Sequence, residues 1–265
     1  MSSNKILLCA ALAAAASSAQ ADVTVTTQTT GKAAFINVGG ESVNQIKGSR
    51  QRSDYSHSGK TQTTIIDIDG RRFVSLDVKK KSAQVTPLDS IADELQKVGV
   101  GTLDATLKKT SETKQIAGFP CTVHDINLSL PFSPTGQSGQ GMDLTMVLSG
   151  TVCLSTAAPG LADYQAFYKA AADSGFIFGD PRMAKSPTGA AQAKAYAALT
   201  RKMAEAGMAL DSRINITATG DNPMANLMAS AAKSDITTTV TKIETGTLPA
   251  ESFEIPADFK VKTQK

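Results

Sequence analysis

The chain has 265 residues, 27 Lys and Arg against 24 Asp and Glu, a formal net charge of +3, three Cys, two His and no Trp. So even a charge balance excludes the basic surface that recruits nucleic acid, and two histidines exclude a metal site built on several of them. No stretch approaches the roughly 20 apolar residues of a spanning helix, so the chain is not expected to cross a membrane.

Met1 to Ala21 reads as a secretory signal peptide: Lys5, an apolar run from Ile6 to Ala16, and Ala19-Gln20-Ala21 before Asp22. Cleavage near Ala21 leaves residues 22–265 as a single domain in the periplasm or outside the cell. Removing Lys5 with the leader brings the net charge to +2. Cys9 belongs to the leader, with a lipid-anchored protein as the minor alternative. The mature chain keeps Cys121 and Cys153, an even number in an oxidising compartment, which favours one structural disulfide over a reactive thiol. With no Trp, its core must be built from Ile, Leu, Val, Met and Ala.

In chain order, Asp22 to Thr30 alternates Val and Thr as a half-buried strand does, and Ser42 to Ser56 reads as one polar strand. Thr61–Asp67 and Arg71–Lys79 flank Asp69-Gly70, the signal for a type I′ hairpin, pairing Ile66 with Phe73, Ile65 with Val74 and Asp67 with Arg72. Thr86-Pro87-Leu88-Asp89 reads as a helix start, with Thr as N-cap and Pro in the first turn. Leu88, Ile91, Leu95 and Val98 continue it at helical spacing. Leu103 to Glu112 is the next strand.

A long hairpin follows, Phe119–Pro131 against Asp143–Ser155. Opposing Leu130 with Leu144, Leu128 with Met146 and Ile126 with Leu148 makes one face apolar and the other polar. This register sets Cys121 directly across from Cys153, within disulfide reach, and His124 across from Gly150. Two helices come next, one opened by Pro159-Gly160 and ended by Gly175. The other spans Gly189 to Gly207, is rich in Ala, and carries a stripe of Tyr196, Leu199, Met203 and Ala206. Arg213 to Thr219 is a strand, Met224, Leu227 and Met228 form a short apolar segment, and Asp235 to Glu244 is the last long strand. Helices do not alternate with strands, so the expected class is α+β: a curved, mostly antiparallel β-sheet covered by about three helices.

The segments TTIIDIDGRRFVSLDVKKKS, ETKQIAGFPCTV and LPAESFEIPADF resemble those of a bacterial secreted family known as domain of unknown function 4412, itself similar in fold to the periplasmic LolA/LolB-like lipoprotein carriers. Arg52, Asp54, Ile65-Ile66-Asp67, Lys81, Ile116 to Cys121, Phe253 and Ile255-Pro256 carry the likeness. It implies an incomplete barrel wrapped around its helices, and it implies no reaction.

No nucleophile elbow, phosphate loop or zincin motif is present. His124 and Asp125 point to opposite faces of a strand and cannot share a ligand. No catalytic, cofactor-binding or metal-binding residue is therefore assigned, and the chain is read as no enzyme. The expected role is a non-catalytic protein holding a lipid or acyl chain in a half-barrel cavity. Ile126, Leu128, Met146, Leu148, Tyr196, Met203, Met224 and Met228 are its candidate lining, and Arg50 and Arg52 its candidate polar rim. The alternatives are an envelope structural or interaction module with a filled core and, less favoured, a periplasmic hydrolase.

Overall fold

The structure is a computed structural model that describes residues 22–33, 36–89, 104–132, 144–174, 187–220, 226 and 233–264. Its strands are β1 (Val23–Ala33), β2 (Ile36–Lys47), β3 (Arg50–His57), β4 (Lys60–Asp67), β5 (Arg72–Asp77), β6 (Ser82–Pro87), β7 (Asp104–Ile116), β8 (Phe119–Phe132), β9 (Leu144–Ser155), β10 (Met208–Gly220), β11 (Ser234–Thr245) and β12 (Lys260–Thr263). The helices are α1 (Leu161–Asp173) and α2 (Pro187–Ala206), and a 3-10 turn spans Ala250–Phe253. All twelve strands join one sheet in the order β12-β6-β5-β4-β3-β2-β1-β11-β10-β9-β8-β7. Every neighbouring pair is antiparallel except β12 with β6.

This overturns the expected α+β sheet wrapped around about three helices. Strand makes up 62% of the structure, two α-helices are present among the described residues, and the sheet is not closed into a barrel. Part of the difference lies at Thr86-Pro87. There β6 runs on through Pro87, which pairs with Arg72, while Val85 pairs with Val74 and Ala83 with Leu76. Burying Val74, Leu76 and Ala83 in one cluster outweighs the local N-cap signature, since capping contributes only about 1 kcal/mol. Helical backbone begins at Asp89, and the remainder of that expected helix lies outside the described residues.

Two turns also differ from expectation. The single strand Ser42–Ser56 is in fact β2 and β3, folded back at Gly48, whose φ of 58° is the left-handed value a tight turn needs. The β4–β5 hairpin pairs as expected, but its left-handed residue is Arg71 (φ 47°), so the turn is not type I′. Gly70 serves a close approach instead: its N–H donates to Asp67 Oδ1 at 2.8 Å.

Between β8 and β9 the register is displaced by two residues. Leu128 faces Leu148, Ile126 faces Gly150, and Val123, not Cys121, faces Cys153. Alternation detects slips of one residue only, because a slip of two leaves every side chain on its face. The disulfide forms all the same: the β8–β9 ladder ends at Thr122, and Cys121 reaches Cys153 across a Cα separation of 5.3 Å.

Side chains alternate between two covered faces. On one, Val25, Ile46 and Ile66 pack with Phe167 and Ala171 of α1. On the other, Ile65, Val74, Leu76 and Ala83 are covered by Ile255 and Phe259 of the C-terminal segment.

Candidate functional site

The site is built where α2 lies on the β8–β9–β10 end of the sheet. Ala193, Ala195, Ala197 and Ala204 are buried along α2, and such small side chains let the helix approach both the sheet and α1. Polar contacts fasten it near its C-terminus: Lys202 Nζ donates to the Ala105 carbonyl of β7 at 2.6 Å, and Gln165 Nε2 of α1 donates to the Ala204 carbonyl at 2.7 Å. The following Gly207 allows the chain to return under the helix, since a Cβ there would meet Ser155 O at 2.7 Å.

Beneath α2 is an apolar cavity of about 150 Å³ lined by Ile126, Leu148, Val152, Ala209, Ser212 and Ile214 from the sheet and Tyr196, Leu199, Thr200 and Met203 from the helix. The strand ladder brings its sheet residues together. Ile126 and Ile214 both pair with Gly150, and Leu148 and Val152 flank Gly150 on the same strand face. Four branched side chains thus surround one position that has none. Gly150 is required by its backbone, because a Cβ would lie 1.9 Å from the Arg213 carbonyl oxygen. The cavity lies between these sheet side chains and Tyr196, Leu199, Thr200 and Met203 of α2.

Of the candidate lining, Ile126, Leu148, Tyr196 and Met203 border this cavity. Leu128 is fully buried beside it and Met146 packs against the same cluster. Met224 and Met228 lie outside the described residues. Arg50 and Arg52 are on the other face of the sheet: Gln51 between them reaches α1, donating from Nε2 to Tyr168 Oη at 3.0 Å. They form no rim to the cavity and instead hold the C-terminal segment. Arg52 binds Asp54 through two nitrogens at 2.7 and 3.0 Å and donates to Ser252 O at 3.0 Å. Arg50 pairs with Glu254 at 2.9 Å and lies over the Phe253 ring.

Val152, Leu199, Thr200, Ala209, Ser212 and Ile214 were absent from the candidate lining. Leu199 belongs to the α2 stripe and Ile214 to an alternating strand, but neither pattern reveals that β10 lies beside β9.

The titratable group in the cavity lining is Tyr196, whose phenol burial pushes up. His124 is buried and its Nδ1 is 2.9 Å from the Thr122 carbonyl, facing Val152 where Gly150 had been expected. Among the described residues no three His, Cys, Asp or Glu side chains gather as metal ligands do, and no helix is long and apolar enough to cross a membrane.

No family model matches the chain, so none supports the resemblance to domain of unknown function 4412, and no curated protein matches it. Among solved structures it is similar to a LolA superfamily protein from Nitrosomonas europaea, at 9% identity over 89% of this chain and 91% of that one, with a TM-score of 0.30. It is also similar to a "putative outer membrane lipoprotein-sorting protein domain" from Vibrio parahaemolyticus, at 10% identity over 88% and 89% of the two chains, with a TM-score of 0.29. Overlap this loose carries no argument about ligand, and function is argued from the chain's own geometry.

Proposed function

We propose that this chain is a non-catalytic, extracytoplasmic binding protein that takes the end of an apolar chain, such as a lipid acyl tail, into the cavity beneath α2. The cavity itself carries the reading: an apolar hollow between α2 and the β8–β9–β10 end of the sheet, of the size that stays dry and accepts a benzene-sized group. The Cys121–Cys153 bond suits an oxidising compartment. The absence of an ionisable pair in the cavity lining leaves nothing for acid–base chemistry there.

The volume also limits the claim. Pockets for whole small-molecule ligands begin at roughly 300 Å³, so a complete lipid does not fit without displacement of α2. The same number favours a second reading, an envelope structural or interaction module whose core is essentially filled.

Native mass spectrometry of protein purified from its compartment, followed by organic extraction, separates the two. Co-purified lipid supports binding. A clean apo mass, with no thermal shift on adding fatty acids, refutes it and leaves the filled-core module.

A further inference from the structure

The β4–β5 and β5–β6 turns share one construction. In each, an Asp at the strand end accepts the backbone N–H three residues on: Gly70 to Asp67 at 2.8 Å, Lys80 to Asp77 at 2.9 Å. In each, the fourth loop residue is left-handed, Arg71 and Lys81 both at φ 47°, and its N–H returns to the first, Ile68 at 3.1 Å and Val78 at 3.4 Å. That first residue is apolar in both turns, but the two meet different surroundings. Ile68 packs against the core, whereas Val78 is 56% exposed.

Val78 sits at the other end of the sheet, and that end is basic. Lys79, Lys80 and Lys81 follow it, Lys60 stands at the neighbouring β3–β4 turn, and β12 adds Lys260 and Lys262, all exposed. Lys260 is fixed there by donating its backbone N–H to Lys81 O at 2.8 Å. Val261, between Lys260 and Lys262 in sequence and on the opposite face of the edge strand β12, is 54% exposed, and Val78 and Val261 are the exposed large hydrophobic side chains of the described residues. Two carboxylates offset part of the charge, Asp77 on Lys80 at 2.9 Å and Asp258 on Lys81 at 2.7 Å. Lys60, Lys79, Lys260 and Lys262 have no carboxylate partner among the described residues.

We propose that this corner docks the protein edge-on to an anionic phospholipid surface, with the unpaired lysines reaching the headgroups from both sides of the sheet edge and Val78 and Val261 entering the interface. Charge complementarity selects the occupant: clustered lysines near a membrane surface attract anionic lipid, and apolar side chains among them add burial in the headgroup region. Nucleic acid would use the lysines but would gain nothing from two bare valines. The site is on a different part of the sheet from the cavity and stands independently of it.

The test is flotation of the purified protein with vesicles of phosphatidylcholine alone and of phosphatidylcholine mixed with phosphatidylglycerol. Binding is expected to the mixed vesicles only and to weaken with salt. Lys79→Gln/Lys260→Gln/Lys262→Gln should lower partitioning about a hundredfold at low salt. Val78→Ser/Val261→Ser should lower it about tenfold, with less dependence on salt. All five positions are exposed, and circular dichroism checks that the variants remain folded. No preference for the anionic vesicles, or equal binding by the triple-lysine variant, overturns the proposal. Capture of soluble polyglutamate without vesicle binding also overturns it, and assigns the corner to an acidic protein.

Discussion

Cys121 and Cys153 are joined with Cα atoms 5.3 Å apart at a sequence separation of 32, and neither lines the cavity. Val123, which faces Cys153, and Ile126, which borders the cavity, point to opposite sides of β8. The bond therefore braces the floor of the cavity without lining it. Closing a loop of this length is worth about 3 to 4 kcal/mol in the chain-entropy account. Cys121→Ala/Cys153→Ala should lose about that much in denaturant unfolding and keep any ligand affinity the intact protein has. Free-thiol titration of the denatured, unreduced mature protein should find none.

Gly150 pairs with Ile126 and Ile214 of the cavity wall, and it does not tolerate a side chain. Its missing Cβ would lie 1.9 Å from Arg213 O and 3.2 Å from Ile214 Cα. Gly150→Ala is expected to cost about 3 kcal/mol, as overpacking does, measured by chemical denaturation. An unchanged midpoint would mean that β9 and β10 are not paired as described.

The C-terminal segment closes the outer face through one ring. Phe253 is fully buried, lies 5.6 Å under the Arg50 guanidinium, and is flanked by the Arg52–Ser252 and Arg50–Glu254 contacts. Phe253→Ala should cost about 4 kcal/mol, in the range for buried aromatic truncation, and should expose the chain after Leu248 to limited proteolysis. Arg50→Ala, which removes a partly exposed pair, should cost about 1 kcal/mol or less.

Asp163, in the first turn of α1, has its carboxyl raised above the ordinary value, mainly by burial and additionally by the charge of Asp22. The folded chain thus holds this proton more tightly than the unfolded chain. Its contribution to stability is full below the unfolded value of about 3.9 and is lost as pH rises through the raised folded value. Asp163→Asn should therefore raise the thermal midpoint slightly at neutral pH, by about 2 °C or less, and leave it unchanged near pH 3.

Local chemistry made much of this molecule readable from its residues. Apolar alternation located β8, β9 and β11, and the Ala-rich stripe located α2. The β4–β5 pairing followed from Ile65, Ile66, Phe73 and Val74. What alternation cannot carry is translation by two: it placed every hairpin side chain on its proper face and still set Cys121 where Val123 stands. Pro87 shows a second limit, because a helix-starting signature was outweighed by the β5 neighbour available to it. The cavity was half legible. Ile126, Leu148, Tyr196 and Met203 announced themselves by spacing, but the expected register sets His124 across from Gly150, whose partners are Ile126 and Ile214. The misplacement of Arg50 and Arg52 has a similar cause. Two arginines spaced two apart share a face, and nothing in that spacing says which face the helices cover.

The most direct test of the cavity reading is a titration of the mature, methyl-labelled protein with decanoic acid, followed by NMR, in the wild type and in Ala209→Ile. Ala209 is on the cavity wall, and a branched side chain there fills the hollow. In the wild type the methyls of Ile126, Leu148, Val152, Leu199, Met203 and Ile214 should shift together and saturably, and in Ala209→Ile those shifts should vanish while the fold persists. Absence of saturable shifts in the wild type, or their survival in Ala209→Ile, would contradict the account.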